Sequence, residues 1–333
     1  MGRHAPGGSL RRVLAAVPPA SGAVVMGTGI VSIDLANGGH ETLSRILLGV
    51  AAAVWVGLGL LLGGRVLFDR PRARLEAASP AALTGVAGTE VLGSRVTLLG
   101  WQAIGAALLV VGLCLWLALV PRVLRAWKVP TVGVSFVLVV STESLAVLGA
   151  ILARRERLAW LAVAALAAVA LGLVAYVFVL ARFDLRQLLV GRGDHWVAGG
   201  ALAIATLACG ETAEAARAVE SLNGLAGGLD VAALVLWATA FAWLPVLLVC
   251  EVVSPRLTYD ARRWSTVFPV GMYAACSFVV GDVRQIGGMV DFARAWTWVA
   301  LAVWLVVAAA LVLRGWALWV EAAAQRPAGR AAA

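Results

Sequence analysis

The chain has 333 residues, is 62% hydrophobic and only 14% charged, and carries a formal net charge of +9; its mean hydropathy is +0.93. A soluble domain averages roughly 45–50% apolar and about 25% charged residues, so this apolar surplus must face lipid, and a water-soluble globular fold is excluded. The positive charge is almost wholly arginine, Lys128 being the single lysine, and in so apolar a chain it reports membrane orientation, not nucleic-acid binding.

Residues 1–17 carry Arg3, Arg11 and Arg12, and no short apolar core ending in a small-residue cleavage site follows them. This reads as a cytoplasmic N-terminal segment and not as a removable signal peptide. Crossing the hydrocarbon takes ~20 mostly apolar residues. The runs that qualify are 18–36, 43–64, 81–97, 99–120, 130–153, 159–181, 195–213, 229–250, 263–281 and 293–314. The third, AALTGVAGTEVLGSRVT, is rich in Gly and Thr and contains Glu90, so hydropathy alone would leave it out. The basic residues restore it. With ten spans and the N-terminus inside, the outer side holds only Arg45, Arg95, Arg154, Arg155, Arg157, Arg217, Arg284 and Arg294 of the 27 basic residues. Dropping the third span inverts everything after it and erases the bias. The expected fold is therefore an all-α integral membrane protein of ten transmembrane helices. A single membrane domain occupies 18–314 and a cytoplasmic tail 315–333, multi-pass in the cell membrane with both termini cytoplasmic. The cluster Arg154, Arg155 and Arg157 runs against this orientation.

The spans alternate in character. The second, fourth, sixth, eighth and tenth are nearly uniform runs of Leu, Ala, Val and Trp, suited to lipid contact. The odd-numbered spans carry VVMGTGIVS, LTGVAGTEVLG, VVSTESLAV, ALAIATLACGE and STVFPVGMYAACS. Small and hydroxyl-bearing residues let helix backbones approach closely or line a wet path. The acids Asp34, Glu90, Glu143 and Glu211 all fall on odd spans, and a charge near the bilayer centre costs about 2.5–3.5 kcal/mol even on the lenient scale, so such groups face a bundle interior. The pattern predicts five tandem helical hairpins with the odd helices lining a central pore, an architecture whose natural use is permeation.

Gly27, Thr28, Gly29, Gly88, Thr89, Thr142, Ser144, Thr206, Pro269 and Gly271 are the pore-lining or kink candidates. Glu143 and Glu90 are the proton-coupling candidates, since a carboxyl withdrawn from water can take up and release a proton near neutral pH. Their competing reading is structural, with the charge removed by protonation or by an arginine such as Arg95. Asp34 and Glu211, near the outer ends, read as wetted structural acids. Trp101, Trp127, Trp160, Trp196 and Trp264 suit a membrane interface, while Trp55, Trp116, Trp237 and Trp304 lie deeper, as packing or lipid-facing residues. Cys114, Cys209, Cys250 and Cys276 read as small core residues without metal-ligand spacing. His4, His40 and His195 lie at or beyond the membrane edge, so no metal or cofactor is expected. Gly27 and Gly29 follow no strand and precede no Lys, which argues against a phosphate loop; with no HExxH or GxSxG motif either, a membrane-embedded enzyme is the remote alternative.

The stretches PPASGAVVMGTGIVS at 18–32, VAGTEVLGSR at 86–95, STESLAVLGA at 141–150, GGALAIAT at 199–206 and RRWSTVFPVGMYA at 262–274 recur in order along nearly the whole chain. In these the chain resembles the tellurite-resistance and dicarboxylate transporter family, which includes malate permeases, sulfite pumps and slow anion channels. The resemblance implies ten helices with five around a pore, a homotrimer with one pore per subunit, and movement of small anions across the bilayer. It also implies that Phe268 closes the pore; read without it, Phe268 is a core aromatic. Glu143 stands where the family usually has an amide. This departure favours a secondary permease moving a small carboxylate or oxyanion with a proton over a passive anion channel gated by Phe268. Malate, sulfite, tellurite and chloride all suit a narrow wet path.

Overall fold

The computed structural model describes residues 17–190, 193–255 and 259–324. Arg3, Arg11, Arg12, Arg192, Arg256, Arg326 and Arg330, which enter the orientation argument, lie outside the described residues, as do His4 and most of the segments 1–17 and 325–333.

Among the described residues, ten helices of 15 residues or more follow one another: α1 (Gly22–Asn37), α2 (Glu41–Phe68), α3 (Thr84–Leu98), α4 (Gln102–Arg125), α5 (Val137–Glu156), α6 (Ala159–Leu180), α7 (Val197–Ala218), α8 (Asn223–Val253), α9 (Trp264–Arg284) and α10 (Gly287–Ala324). Among the described residues, nine are long and apolar enough to cross a membrane, α1 being counted with the preceding turn from Pro19. The exception is α3, the third predicted span, a 15-residue helix whose Gly, Thr and Glu content keeps its hydropathy low. Several helices outrun their apolar cores. α10 continues past 314 to Ala324 with Trp316 and Trp319 exposed, so the predicted tail begins as helix.

Burial follows the sequence alternation. The apolar windows of α1, α5, α7 and α9 are 72% to 100% buried, and those of α2, α4, α6, α8 and α10 only 17% to 28%. In α3 every residue but Gly85 and Leu98 is buried. The buried helices touch in a closed cycle, α1 on α3, α3 on α5, α5 on α7, α7 on α9 and α9 on α1, and each also packs against the exposed helix that follows it. Leu60, Val252 and Val306 on that outer layer are more than two thirds exposed, which suits lipid contact.

The connections explain why consecutive helices pair. At four of the inner-to-outer turns a residue enters the left-handed region: Gly39 (φ 86°), Gly100 (φ 94°), Arg157 (φ 53°) and Gln285 (φ 54°). The amide one residue further on then donates to the carbonyl five residues back, as His40 to Leu35 (2.7 Å), Trp101 to Val96 (3.1 Å), Leu158 to Ala153 (3.0 Å) and Ile286 to Gly281 (2.9 Å). This helix-ending motif satisfies carbonyls that would otherwise lack partners and reverses the chain within three residues.

On the other side of the molecule the links are longer. Arg65 is buried, pairs with Glu76 of the short helix Arg70–Ala77 and donates to the Val17 carbonyl at 2.7 Å, tying that helix under α2.

Candidate functional site

All five inner helices contribute to one cavity of about 370 Å³ at their C-terminal ends. Its lining is Ile33 and Asn37 from α1, Ser94 and Leu98 from α3, Val147, Ile151 and Arg154 from α5, Leu207, Glu211 and Glu214 from α7, and Ala275, Phe278, Val279, Asp282 and Val283 from α9. Larger grooves of about 520 and 440 Å³ open instead between outer helices, α2 with α4 and α8 with α10, and their linings are mainly apolar. They suit acyl chains; the vestibule alone among these three draws on every inner helix.

Helix geometry extends the vestibule inward. Seven residues turn a helix through about 700°, returning to the same face roughly two turns away. Counting back seven from the innermost lining residue of each helix (Ile33, Ser94, Val147, Leu207, Ala275) gives Met26, Ala87, Val140, Gly200 and Phe268. All five are buried, and none carries a polar side chain. Phe268 therefore lies on the vestibule face of α9, two turns below Ala275. Val270, close to the opposite face of α9, lines the outer groove beside α10. The sequence reading had only Phe268 of this set; the other four are unremarkable apolar residues until the vestibule supplies the register.

Close packing joins the inner helices around these residues. A Cβ on Gly200 would lie 2.7 Å from the Pro269 ring, one on Gly27 3.0 Å from Val267, one on Gly29 2.7 Å from Val91, and one on Gly88 3.0 Å from the Gly22 carbonyl. Gly271 is equally tight against Ile30 of α1. α9 is thus wedged between α1 and α7 with Phe268 fully buried between the two contacts. Pro269 leaves α9 a continuous helix.

The candidate hydroxyls are engaged elsewhere. Thr28 accepts from the Trp304 indole (3.0 Å), Thr89 from Trp55 (2.9 Å) and Thr142 from Trp116 (3.0 Å), and Ser277 accepts from Trp237 in the same way (2.9 Å). Each indole belongs to an outer helix and reaches the inner helix of the next pair, so the deep tryptophans join neighbouring pairs. Their even-helix positions were visible in the sequence; the hydroxyl partners were not. Ser144 and Thr206 donate to carbonyls of their own helices, Val140 at 2.7 Å and Leu202 at 2.9 Å.

The buried acids depart from expectation in three ways. Arg95 does not reach Glu90: it pairs with Glu41 at 2.6 Å and donates to Ser44 at 2.9 Å, because the turn at Gly39 brings the start of α2 beside the end of α3. Glu90 and Glu143 are fully buried without hydrogen-bond partners among the described residues. Their carboxyls press into notches on the following outer helix, Glu90 against Gly112 and Glu143 against Gly172, so they lie between the layers. Asp34 is not wetted. It is fully buried, and its Oδ2 lies against Gly271, 3.1 Å from where a Cβ would stand. Glu211 does face the cavity, and Arg154 stands 3.3 Å from it. Cys114 is exposed on the outer face of α4, unlike the three buried cysteines. Among the described residues no three His, Cys, Asp or Glu side chains converge on a metal position.

A family profile described as SLAC1, voltage-dependent anion channel, matches residues 16–312. An uncharacterized membrane protein of Mycobacterium tuberculosis (strain CDC 1551 / Oshkosh) is 34% identical over 125 residues, which are 35% of this chain and 62% of the relative's length. A second, from strain ATCC 25618 / H37Rv, matches to the same extent. The match spans less than two thirds of either relative.

Proposed function

Because this chain belongs to the SLAC1 voltage-dependent anion channel family, we propose that it conducts small anions across the membrane along the axis of its five inner helices, through a path closed at Phe268. The observation that carries this reading is the apolar level two turns below the vestibule. A constriction of Met26, Ala87, Val140, Gly200 and Phe268 offers a permeating ion nothing to replace its water, and apolar constrictions close pores by dewetting. On this reading the helices form ten spans in five hairpins, α3 being kept in the membrane by burial within the ring. Family likeness adds a homotrimer with one path per subunit.

The orientation is part of the proposal, with the helix N-termini of the inner ring and the link from Arg65 to Pro80 on the cytoplasmic side. A cysteine introduced at Ser79 is expected to resist membrane-impermeant maleimide in intact cells and to react after permeabilisation. Labelling from outside would invert the assignment.

Two modes of transport separate on Glu143. A carrier coupled to protons draws support from a fully buried carboxyl with no partner among the described residues. The passive channel draws stronger support from where that carboxyl lies, against Gly172 and away from the vestibule lining. Flux of chloride, nitrate, sulfite, malate and tellurite into proteoliposomes, with and without a proton gradient, tests the function and ranks the anions. No flux of any of them would end the transport reading. For Glu143→Gln, which keeps shape and hydrogen bonding but exchanges no proton, the expected result is flux with an unchanged response to the gradient. Proton dependence present in the wild type and lost in this variant would establish the coupled carrier instead.

A further inference from the structure

Arg154 belongs to the arginine cluster that the membrane-orientation pattern leaves unexplained, and the vestibule accounts for it. Among the cavity-lining residues it is the single cation, facing three carboxylates, Glu211, Glu214 and Asp282. The side chain is 29% exposed, open to the cavity and not packed away. Its two ion pairs are long, 3.3 Å to Glu211 and 3.8 Å to Glu214, whereas charge-assisted hydrogen bonds of this kind close to about 2.7–2.9 Å. The Glu211 Oε2 nearest to it is buried and has no hydrogen-bond partner among the described residues. Glu214 has a second cation, Arg217, which also holds Asp230. Among the described residues Arg154 is the cation within ion-pair distance of Glu211, with Arg155 adding a weaker attraction, and the Arg154 contact is electrostatic without a formed hydrogen bond.

We propose that Arg154 is the anion-binding residue of the vestibule and that Glu211 is its resident counter-ion, displaced when a small anion arrives. The inference rests on the anion-conduction reading and adds to it a site two turns or more from the apolar constriction. A guanidinium presents a planar fork of donors to chloride, carboxylate or oxyanion alike. Asn37 and Ser94 line the same cavity and add polar groups for the incoming ion's remaining water. Glu211 tethered at the same position competes with every anion that enters, so it lowers affinity while keeping the arginine from standing bare in the empty state.

The test is sided anion current in planar bilayers, with chloride and nitrate varied on the vestibule side, for wild type, Glu211→Gln, Arg154→Gln, Arg154→Lys and the double variant Arg154→Gln/Glu211→Gln. Removing the competitor is expected to lower the half-saturating anion concentration in Glu211→Gln by roughly threefold to fivefold, the order of effect of a partly exposed ion pair. Arg154→Gln is expected to raise it by a similar factor and Arg154→Lys to recover part of the loss. In the double variant the benefit of Glu211→Gln should vanish, since without the guanidinium there is nothing to compete for. Raising the ionic strength with an impermeant salt should shrink all these differences. A purely structural pair makes another prediction: less folded protein in both single variants, with half-saturation unchanged per folded molecule. That result, or equal benefit of Glu211→Gln with and without Arg154, overturns the site. Absence of current in wild type and Phe268→Ala alike would instead overturn the conduction reading beneath it.

Discussion

Phe268→Ala is expected to conduct anions about tenfold faster or more per folded molecule than the wild type, equivalent to at least ~1.4 kcal/mol removed from the barrier. The ring is fully buried and shares the vestibule face of α9 with Ala275 and Asp282, seven and fourteen residues on. Met26, Ala87, Val140 and Gly200, at the same register on the other inner helices, contribute no polar side chain, so on the proposed reading removing the largest member widens the path without creating a binding site. Flux should rise while half-saturation stays near its original value. The competing account of Phe268 as a packing residue makes the opposite prediction. A core Phe→Ala change costs about 3–5 kcal/mol, so folded protein and flux would fall together. Measuring the folded fraction by size exclusion beside transport separates the two. Phe278→Ala is the control on the same helix. Phe278 lines the wide vestibule, where a smaller side chain relieves no constriction, and no gain in flux is expected there. Equal or lower flux per folded molecule in the Phe268 variant would remove the gate and leave the fold.

The alternation of helices was legible in sequence because lipid and protein interior demand different side chains. Val174 or Leu60 can face acyl chains, whereas Glu90, Glu143 and Asp34 cannot. The helix ends at Gly39 and Gly100 were legible in principle, since glycine tolerates the left-handed turn, but Arg157 and Gln285 make the same turn with nothing in their chemistry to announce it. Side-chain direction was the level that sequence did not reach. Thr89 and Glu90 are adjacent, yet one meets Trp55 of the preceding outer helix and the other Gly112 of the following one. Thr142 and Glu143 repeat the arrangement with Trp116 and Gly172. Sequence alone assigns a polar residue on an inner helix to the path, the interior being the obvious refuge from lipid. The seam between layers is a second refuge, and which one a residue occupies depends on about 100° of rotation per position. The proposed constriction is hidden in the sequence for the converse reason. Met26, Ala87 and Val140 are ordinary core residues whose proposed role follows from register with a cavity, and that register does not exist until five helices have been brought together.

The seam yields the second large effect, on stability. In Gly172→Ala the new methyl would stand 2.8 Å from Cγ of Glu143 and closer still to its carboxyl. A flexible tip could swing aside, but Cγ is near the root of the side chain and Glu143 is enclosed on every side, so either α6 moves outward or the side chain leaves its rotamer. Overpacking of this kind costs about 1–3 kcal/mol, more than the ~1 kcal/mol by which alanine favours a helix over glycine. Gly172→Ala should therefore lower the thermal midpoint of the purified protein by several degrees. The cause is checked by removing the other half of the clash. Glu143→Ala deletes Cγ and the carboxyl, and in that background Gly172→Ala should become neutral or stabilising, giving a coupling of at least about 1 kcal/mol between the two sites. Glu143→Gln has the same shape as the native residue and should give no such relief. The pair Gly112 and Glu90 supplies an independent repeat, since a methyl on Gly112 would stand 2.7 Å from Cδ of Glu90 and 3.3 Å from its Cγ. There the collision falls nearer the tip, so the smaller destabilisation belongs to Gly112→Ala. If Gly172→Ala proves as stable as the wild type, or if Glu143→Ala fails to relieve it, the carboxyl does not occupy the notch, and the assignment of both glutamates to the seam between layers falls.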